Sequence, residues 1–334
     1  METRPADAAT RNWAGRSVLV AGGMGFIGSN LVRRLDALGA QVLVVDALLP
    51  GGGAHPRNLE GASSRVRIME ADLRDASVAP GLVDGRAVVF NLFAQTSHVA
   101  SITDPLEDLS INAQAQLNLL EACRRHAPRA SIVYTGTRQV YGVPRALPVD
   151  ESHPVDPVDV NGFHKFAAEG YHLLYHRVHG LATCVLRLTN TYGPRMRIRD
   201  ARQTFVGAWI RGVLAGEAFE VWGGAQLRDL AYVDDVVDAL LRAADPAHAG
   251  RVFNVGGSPP VTLRELADTL LRVAGRGAYR VVDYPASRRT IDIGHYHADD
   301  RRFREATGWA PRAGLDEGLA RTLDYFREHF EHYA

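Results

Sequence analysis

The sequence predicts an α/β fold with a doubly wound parallel sheet and a smaller C-terminal domain. Two observations lead to this class. In the first half of the 334-residue chain, short apolar runs alternate with segments of helical periodicity. Strands that are apolar along their whole length are typical of parallel sheets covered by helices on both faces. After about residue 190 this rhythm breaks into shorter, mixed segments, which predicts a second unit.

The elements of the first half follow one another as strand and helix. Strands are predicted at 17–21, 41–46, 66–70, 87–94, 131–136 and 181–188, and helices at 26–38, 111–126 and 163–179. In the second half, helices are predicted at 203–214, 233–244, 263–273 and 315–329, and the run 252–257 is predicted to return as a strand to the main sheet. We therefore divide the chain into a sheet domain at 16–190, rejoined by a strand near 251–257, and a second domain that occupies most of 191–330.

The composition excludes several classes of protein. Basic and acidic residues both number 38, and this zero net charge argues against a dedicated nucleic-acid binder. No apolar run approaches the roughly 18 residues that a membrane helix needs, and the polar stretch 1–16 is unlike a secretory signal. Cys123 and Cys184 fall inside a helical and a strand pattern, which indicates reduced core residues. We expect a cytoplasmic protein without a membrane or nucleic-acid partner.

Lysine is almost absent from the chain. Of the 38 basic residues, Lys165 alone is a lysine and the other 37 are arginines. A preference for arginine codons explains the ratio, since the two residues replace one another readily on a surface. They are not equivalent where a compact ammonium group is required. Lys165 is therefore a candidate functional residue.

A glycine-rich turn follows the first predicted strand. Gly22, Gly25 and Gly28 have the spacing G-x-x-G-x-x-G, and the helix that follows opens at Phe26 and Ile27. Glycine lets the backbone of such a turn approach a pyrophosphate closely, and the free N–H groups and dipole of the helix N-terminus attract its charge. These five residues are predicted to bind a dinucleotide.

Acidic residues follow the second and third strands. Asp46 lies 18 residues beyond the last glycine of the turn, near the spacing expected for a carboxylate that binds an adenosine ribose. A carboxylate repels a 2′-phosphate, and no arginine follows it directly, so the predicted cofactor is NAD rather than NADP. Asp72 and Leu73 are assigned to the same site, where Asp72 either contacts the adenine edge or caps the following helix.

Further motifs are spread along the chain: A-D-L-R-D at 71–75, N-L-F-A-Q-T-S-H at 91–98, T-G-T-R-Q-V-Y-G at 135–142, L-R-L-T-N-T-Y-G-P-R at 186–195 and Q-L-R-D-L-A-Y-V-D-D at 226–235. Together with the glycine turn they resemble the extended short-chain dehydrogenase/reductase family, in its nucleotide-sugar epimerase/dehydratase branch. The likeness extends over about residues 16–330. It implies a Rossmann domain that binds NAD and a smaller C-terminal domain that binds a nucleotide-diphosphate sugar, with the site between them.

The resemblance implies a catalytic set of a serine or threonine followed by Tyr-x-x-x-Lys on a helix. Thr137 matches the first position and Lys165 the last, where the family's lysine binds the nicotinamide ribose and lowers the pKa of the tyrosine through its charge. Asn161 stands where the tyrosine is expected, one helical turn before Lys165. An amide binds hydroxyl groups but takes no proton, so the chain departs from the family at its general base.

Four explanations of the missing base are open at this stage. His98 and His164 are the nearest titratable side chains by motif position, and histidine has a suitable ordinary pKa of about 6.5. Tyr141 or Tyr192 could instead reach the site. Thr137 and a water could relay the proton while the amide orients the sugar, or the protein could be catalytically silent.

The residues after Thr137 indicate the reaction. In the family's 4,6-dehydratases an Asp-Glu pair at these positions protonates the leaving hydroxyl and removes the C5 proton, whereas this chain has Arg138 and Gln139. The resemblance therefore favours 4-epimerisation, by transient oxidation at C4 and return of the hydride to the opposite face, with NAD regenerated in each turnover. A dehydratase or dehydrogenase of the same family and a silent NAD-binding regulator are the alternatives.

Several polar residues of the later chain are assigned to the substrate. Asn190 and Arg228 match family positions near the nucleotide diphosphate, and arginine suits bidentate phosphate binding. Arg195 opens an arginine-rich loop that could close over a pyrophosphate, and Arg288 or Arg289 is the candidate for the family's late phosphate-binding arginine. Family members often dimerise through two long helices, here about 106–126 and 163–179, so a homodimer is expected.

Overall fold

The strands of the fold position the candidate site. The computed structural model describes residues 13–201, 204–257, 259–285 and 291–334. Within these ranges the strands, in chain order, are β1 (Ser17–Ala21), β2 (Gln41–Asp46), β3 (Val66–Glu70), β4 (Val88–Asn91), β5 (Ser131–Thr137), β6 (Ala182–Leu188), β7 (Asn190–Tyr192), β8 (Phe219–Trp222), β9 (Leu227–Arg228), β10 (Leu230–Tyr232), β11 (Arg251–Val255), β12 (Val261–Thr262) and β13 (Tyr279–Val282).

The helices of the same ranges differ widely in length. They are α1 (Phe26–Ala37), α2 (Ala79–Val83), α3 (His98–Thr103), α4 (Pro105–Leu109), α5 (Ala115–His126), α6 (Val160–His179), α7 (Phe205–Ala215), α8 (Val233–Ala243), α9 (Leu263–Ala274), α10 (Arg301–Thr307) and α11 (Leu315–Tyr333). A π-helical turn at Ser110–Gln114 joins α4 to α5.

Seven of the strands form one parallel sheet, in the order β11-β6-β5-β4-β1-β2-β3. Side chains alternate between its two faces, as the two-residue period of a strand requires. On β1, Val18 and Val20 pack in a core with α1, α8 and α10, while Leu19 and Ala21 pack in a second core with α2 and α5. Because helices cover both faces, the strands are apolar along their length. The predicted doubly wound parallel sheet is confirmed.

The second half of the chain contributes to this sheet. β11 pairs in parallel with β6, with Arg251 opposite Cys184, so the predicted return strand near 251–257 is confirmed. α8 packs against α1 on one face of the sheet. At the opposite edge, β3 is the last strand, and its Ile68 and Met69, which point to opposite faces of the sheet, are exposed rather than buried.

A further hydrophobic core lies in the second half of the chain. α7, α9 and α11 pack there around the parallel pair of β8 and β13. α9 begins with a capping box, in which Thr262 and Glu265 each bond the other's backbone N–H. Two short strand pairs, β7 with β10 and β9 with β12, fix the positions of Asn190 and Arg228.

Two helices begin at other residues than their sequence patterns predict. α5 begins at Ala115 rather than at 111, because the π-helical turn occupies the residues before it. The short helices α3 and α4 were not predicted, because they are too short to show a clear helical period. α6 begins at Val160 rather than at 163, because Asp159 caps it: its Oδ1 accepts a hydrogen bond of 2.7 Å from Gly162 N. Asn161 consequently lies in the first turn of α6.

Both cysteines are core residues, as predicted. Cys123 on α5 and Cys184 on β6 are buried and free, and burial raises the pKa of each thiol to about 12. In the part of the chain that the structure describes, no helix combines the length and the apolar character that a membrane crossing requires.

Candidate functional site

A cleft of about 490 Å³ lies at the carboxyl edge of the parallel sheet. Because the strands are parallel, the loops that follow β1 to β6 all open at this edge. The folded chain thereby brings together most of the residues that the sequence assigned to the cofactor and to the chemistry. Those lining the cleft are Gly22, Gly25, Phe26, Ile27, Gly28, Asp46, Asp72, Leu73, His98, Thr137, Asn161, Lys165 and Asn190.

Two glycines of the turn between β1 and α1 stand where a side chain would not fit. Gly22 has φ +78°, and a Cβ atom there would lie 2.7 Å from Phe93 N. A Cβ atom on Gly28 would overlap the carbonyl oxygen of Gly22. Gly25, the cap of α1, has no side chain to bond the first N–H groups of the helix. A bare helix N-terminus on a close-packed turn fits the pyrophosphate of a dinucleotide.

Asp46 stands at the end of β2, on the wall of the same cleft. Its carboxylate accepts hydrogen bonds from Met24 N at 3.0 Å and from Leu48 N at 3.1 Å. Burial raises the pKa of this carboxyl group even though both bonds favour its charged form. The two bonds hold the carboxylate in place, as the binding of a ribose hydroxyl requires.

Asp72 is paired rather than free. Its Oδ2 accepts bonds from Arg74 Nε and Nη2 at 2.8 and 2.6 Å, and the same guanidinium bonds Glu107 at 2.8 Å. This pairing lowers the pKa of Asp72. The alternative that Asp72 caps the following helix is wrong, because α2 begins only at Ala79. Asp72 instead holds Arg74 at the cleft wall beside Leu73.

Lys165 has its ammonium group at the inner wall of the cleft. Its Nζ donates to Thr135 O at 2.7 Å and lies 4.4 Å from the centre of the Tyr134 ring. The residue is 5% exposed, and burial lowers the pKa of the ammonium to about 7, although the charges of Asp108 and Glu169 favour the protonated form. An ammonium has three donors, so Lys165 can also donate to a ligand.

Asn161 is held by a buried carboxylate. Its Nδ2 donates to Gln95 O at 2.8 Å and to Asp108 Oδ2 at 3.0 Å. Asp108 is fully buried, accepts a further bond of 3.0 Å from Gln95 Nε2, and lies 2.7 Å from His164 Nδ1. Because both amide N–H groups of Asn161 are used, its carbonyl oxygen is the part that can bind a ligand hydroxyl.

His98, at the start of α3, faces the beginning of α6. Its Nδ1 lies 2.8 Å from Asp159 Oδ2, an ion-pair contact rather than a well-aligned hydrogen bond. Asp159 also accepts a hydrogen bond of 3.0 Å from Gln139 Nε2. Burial by itself would raise the pKa of Asp159, but its contacts with His98, Gly162 and Gln139 outweigh that effect, and the pKa is lowered. The His98 side chain is 39% exposed and lines the cleft, whereas the described residues of the cleft wall do not include His164.

Tyr141 and Tyr192 are structural residues. Tyr141 Oη donates to Asn254 Oδ1 at 2.7 Å, and Tyr192 Oη donates to Leu315 O at 3.5 Å. Both are fully buried, and burial raises the pKa of both phenols, to about 12 for Tyr141. The alternative that one of them replaces the missing base is therefore wrong.

The side chains of the two residues after Thr137 point in different directions. Arg138 Nη2 donates to Asn190 Oδ1 at 2.8 Å, and its guanidinium lies 5.1 Å from the centre of the Tyr296 ring. Gln139 bonds Asp159 on the other side. Asn190 and Arg138 thus form one wall of the cleft next to Thr137.

Arg228 is buried behind this wall and is not among the described residues that line the cleft. Its guanidinium donates to Leu227 O at 2.8 Å and to Gly294 O, and lies 3.4 Å from Asp292 Oδ1. Burial, together with the nearby charge of Arg138, lowers the pKa of Arg228 to about 10. The expected direct contact of Arg228 with the diphosphate is therefore not visible in this cleft.

Arg195 lines a different cavity and is not among the described residues of this cleft, so its expected position over a pyrophosphate in the cleft is wrong. Its backbone is left-handed, with φ 70°, and its Nη1 donates to Asn30 Oδ1 at 2.8 Å. The guanidinium lies over Tyr325, in a cavity between α1, α8 and α11. Arg288 and Arg289 lie outside the described residues.

Two acids and one amide that organise the site, Asp108, Asp159 and Gln95, were not predicted from the sequence. Asp159 carries a recognisable signal, since an aspartate just before a helical pattern is a typical N-cap. Asp108 and Gln95 carry none, because their bonds to Asn161 join positions 53 and 66 residues apart.

Comparison with known proteins agrees with this geometry. Residues 18–256 match the model of the NAD dependent epimerase/dehydratase family. The chain is 35% identical to the UDP-glucose 4-epimerase of Mycolicibacterium smegmatis, over 92% of this chain and 98% of that protein. It is 31% identical to UDP-glucuronic acid decarboxylase 5 of Arabidopsis thaliana, over 93% and 89%. A solved structure of UDP-glucose 4-epimerase from Thermotoga maritima, with UDP-glucose, superposes with a TM-score of 0.85 at 30% identity and covers 94% and 99% of the two chains.

The glycine turn, the carboxylate of Asp46 and the buried Lys165 fit the cofactor that this family uses. The chain therefore belongs to the NAD-dependent epimerase/dehydratase family of extended short-chain dehydrogenases/reductases, and its cofactor is NAD.

Proposed function

We propose that the protein is an NAD-dependent nucleotide-sugar 4-epimerase. The observation that carries this proposal is a cleft that joins Thr137 and Lys165 but has Arg138 and Gln139 directly after the threonine. Elimination needs an acid and a base beside the sugar, and a guanidinium and an amide supply neither. Epimerisation at C4 needs only that the proton of the C4 hydroxyl and the hydride of C4 are removed and that both are returned, the hydride to the opposite face of the sugar.

The relatives support a nucleotide-diphosphate sugar as the substrate. The proteins from Mycolicibacterium smegmatis and Thermotoga maritima are both named for UDP-glucose, and each aligns with more than nine-tenths of this chain. We infer a UDP-sugar as the first substrate to test. In this proposal the sheet domain, 16–190 with the strand near 251–257, binds NAD, and most of 191–330 binds the sugar nucleotide.

Several residues are suited to hold NAD. The N–H groups at the start of α1, from Phe26 to Gly28, would bind the pyrophosphate, and Asp46 would bind the adenosine ribose. Lys165 would donate to the nicotinamide ribose. When NAD is bound, its nicotinamide would supply the hydride acceptor and donor for C4.

Oxidation at C4 also requires that the hydroxyl lose its proton. The hydroxyl of Thr137 and the carbonyl oxygen of Asn161 are suited to orient the C4 hydroxyl. The ammonium of Lys165 would stabilise the negative charge that develops on that oxygen. The threonine hydroxyl and the amide are too weakly basic to take this proton, and Lys165 acts in the proposed mechanism as a protonated donor. The proton therefore passes to another side chain.

We assign the base to His98. It lines the cleft, and the carboxylate of Asp159 beside Nδ1 favours a proton on that nitrogen, which leaves Nε2 to accept one. His164 also faces an acid, but its partner Asp108 is the carboxylate that holds Asn161. We therefore assign His164 a positioning role.

A homodimer is inferred from exposed apolar side chains on α4 and α6. Leu106 on α4 is 74% exposed, and Phe163 and Val178 on α6 are 57% and 61% exposed. Phe166 and Leu174 extend the same face of α6 at helical spacing. A contiguous apolar surface of this kind marks a contact with a partner.

The free, buried cysteines suit a reducing compartment, so we also infer a cytoplasmic location.

Incubation with NAD and a panel of UDP-hexoses, UDP-N-acetylhexosamines and UDP-hexuronic acids is expected to interconvert one pair of C4 epimers, measured by chromatography, without net NADH. Lys165→Met should abolish this interconversion and weaken NAD retention, because the group that binds the ribose is lost. A keto-deoxy product would indicate a dehydratase, and accumulating NADH a dehydrogenase. Bound NAD without turnover of any sugar would favour the silent regulator.

Replacing His98 by glutamine should lower kcat by about 100-fold or more, the usual effect of losing a general base. His164→Gln is the matched control, because it removes the other histidine that faces an acid; we expect a decrease of less than about 10-fold. A larger decrease in His164→Gln would reverse the two assignments. Full rates in both variants would favour a relay through Thr137 and water.

The pH dependence of stability should report the burial of Lys165 in the NAD-free protein. Its pKa is about 7 in the folded state and about 10.4 in an unfolded chain. Between these values the unfolded state binds more protons, so Lys165 makes the free energy of unfolding rise with pH, by at most about 1.4 kcal/mol per pH unit. Denaturant unfolding at pH 7 to 9 should show a steeper rise in the wild type than in Lys165→Met. Equal slopes would mean that the buried amine keeps its charge.

The combined substitutions Leu106→Asp and Val178→Asp should convert the dimer to a monomer, because charges replace apolar contact area. Multi-angle light scattering measures the mass directly. Val281→Asp, on the exposed β13, is the matched control and should stay dimeric. A monomeric wild type at micromolar concentration would refute the inferred dimer.

A further inference from the structure

Arg138 places a positive charge in the cleft that the proposed reaction does not use. It follows Thr137 directly in the chain and lines the cleft with it. Its Nη2 donates to a neutral acceptor, Asn190 Oδ1, and its Nη1 is buried without a hydrogen-bond partner among the described residues. Leaving a buried charged donor unpaired costs free energy, so the arrangement suits a ligand that supplies the missing acceptor.

The guanidinium of Arg138 is fixed in position by its neighbours. Its face lies over the ring of Tyr296, 5.1 Å from the ring centre, and Asn190 fixes one of its nitrogens. Tyr296 itself is fully buried and stacked on Tyr141. The Tyr296 hydroxyl is likewise without a partner in the described part of the chain. A planar, immobilised arginine loses little further freedom when it binds a planar anion.

A second guanidinium strengthens the positive character of this wall. Arg228 lies close enough that the charge of Arg138 lowers its pKa. The nearby acids are engaged: Asp292 contacts Arg228 at 3.4 Å, and Asp229 is bonded to Thr189 and buried, which raises its pKa. An anion bound at Arg138 would relieve the repulsion between the two guanidiniums.

We propose that Arg138 binds a carboxylate on C5 of the sugar, so that the substrate is a nucleotide hexuronic acid. This inference rests on the proposed function, because it takes Thr137 to mark the position of C4. C5 is bonded to C4, so its carboxylate lies beside the residue that follows Thr137. The fork of Nη1 and Nη2 matches the two oxygens of a carboxylate.

The diphosphate is the other anion that such a substrate carries. It is attached at C1, across the pyranose ring from C4, and so lies further from Thr137 than a substituent on C5 does. The position of Arg138 next to Thr137 therefore favours the carboxylate. A contact of Arg138 with the diphosphate would instead affect neutral and acidic sugar nucleotides alike, which an experiment can separate.

The test compares kcat/KM for UDP-glucuronic acid and UDP-glucose in the wild type, Arg138→Gln and Arg138→Lys. The wild type should prefer the acidic sugar, and Arg138→Gln should lower the ratio of the two values by roughly 10- to 100-fold, the effect of losing a hydrogen bond to a charged group. Arg138→Lys should lie between them, because it keeps the charge and loses the fork. Arg197→Gln is the matched control, since Arg197 lines the same cleft but bonds Asp200; its ratio should stay within about threefold of the wild type.

A binding measurement keeps the proposal testable if no sugar turns over. In Lys165→Met, calorimetry should show UDP-glucuronic acid binding at least about 10-fold tighter than UDP-glucose, and adding Arg138→Gln should remove that difference. Thermal unfolding checks that each variant is folded. Preference for the neutral sugar, or an equal loss for both sugars in Arg138→Gln, would overturn the proposal. Failure of turnover with the preference in binding intact would instead contradict the epimerase activity alone.

Discussion

The buried carboxylate of Asp108 organises the reactive part of the cleft. A charge removed from water is tolerated only where several donors surround it. Here the donors come from Gln95, Asn161 and His164, which belong to the loop after β4 and to the first turns of α6. The same charge favours the protonated form of Lys165. One carboxylate thus orients the amide and supports the ammonium that lies one helical turn beyond it.

The asparagine in the first turn of α6 means that this position of the cleft cannot exchange a proton with the substrate. A phenol can give up its proton, whereas an amide cannot. With both N–H groups bound, Asn161 acts as a fixed hydrogen-bond acceptor. In the proposed mechanism, the proton passes to His98, which lies beside Asp159 at the start of α6. Lys165 then contributes charge and binding rather than the tuning of a tyrosine.

The residues that follow β5 contact both the proposed base and the proposed binding site of the sugar. Arg138 and Gln139 are adjacent in the chain, yet they bond in opposite directions, to Asn190 and to Asp159. This divergence follows from the 3₁₀ turn that begins after Thr137, in which neighbouring side chains leave the backbone about 120° apart. Gln139, on one side of the turn, bonds the aspartate beside the proposed base. Arg138, on the other side, places its guanidinium where we propose that the sugar carboxylate binds.

Local sequence was sufficient to predict the parallel sheet, its return strand and the NAD turn, because hydrophobic period and glycine spacing are properties of consecutive residues. It was also sufficient to single out Lys165 and to notice that a tyrosine is missing at 161. The folded chain was needed to show that Asp108 holds Asn161, that Arg138 has an N–H group without a partner among the described residues, and that Arg195 lies in another cavity. These features depend on bonds between residues 52 to 165 positions apart. Such bonds are selected by burial and packing in three dimensions, and no pattern of neighbouring residues encodes them.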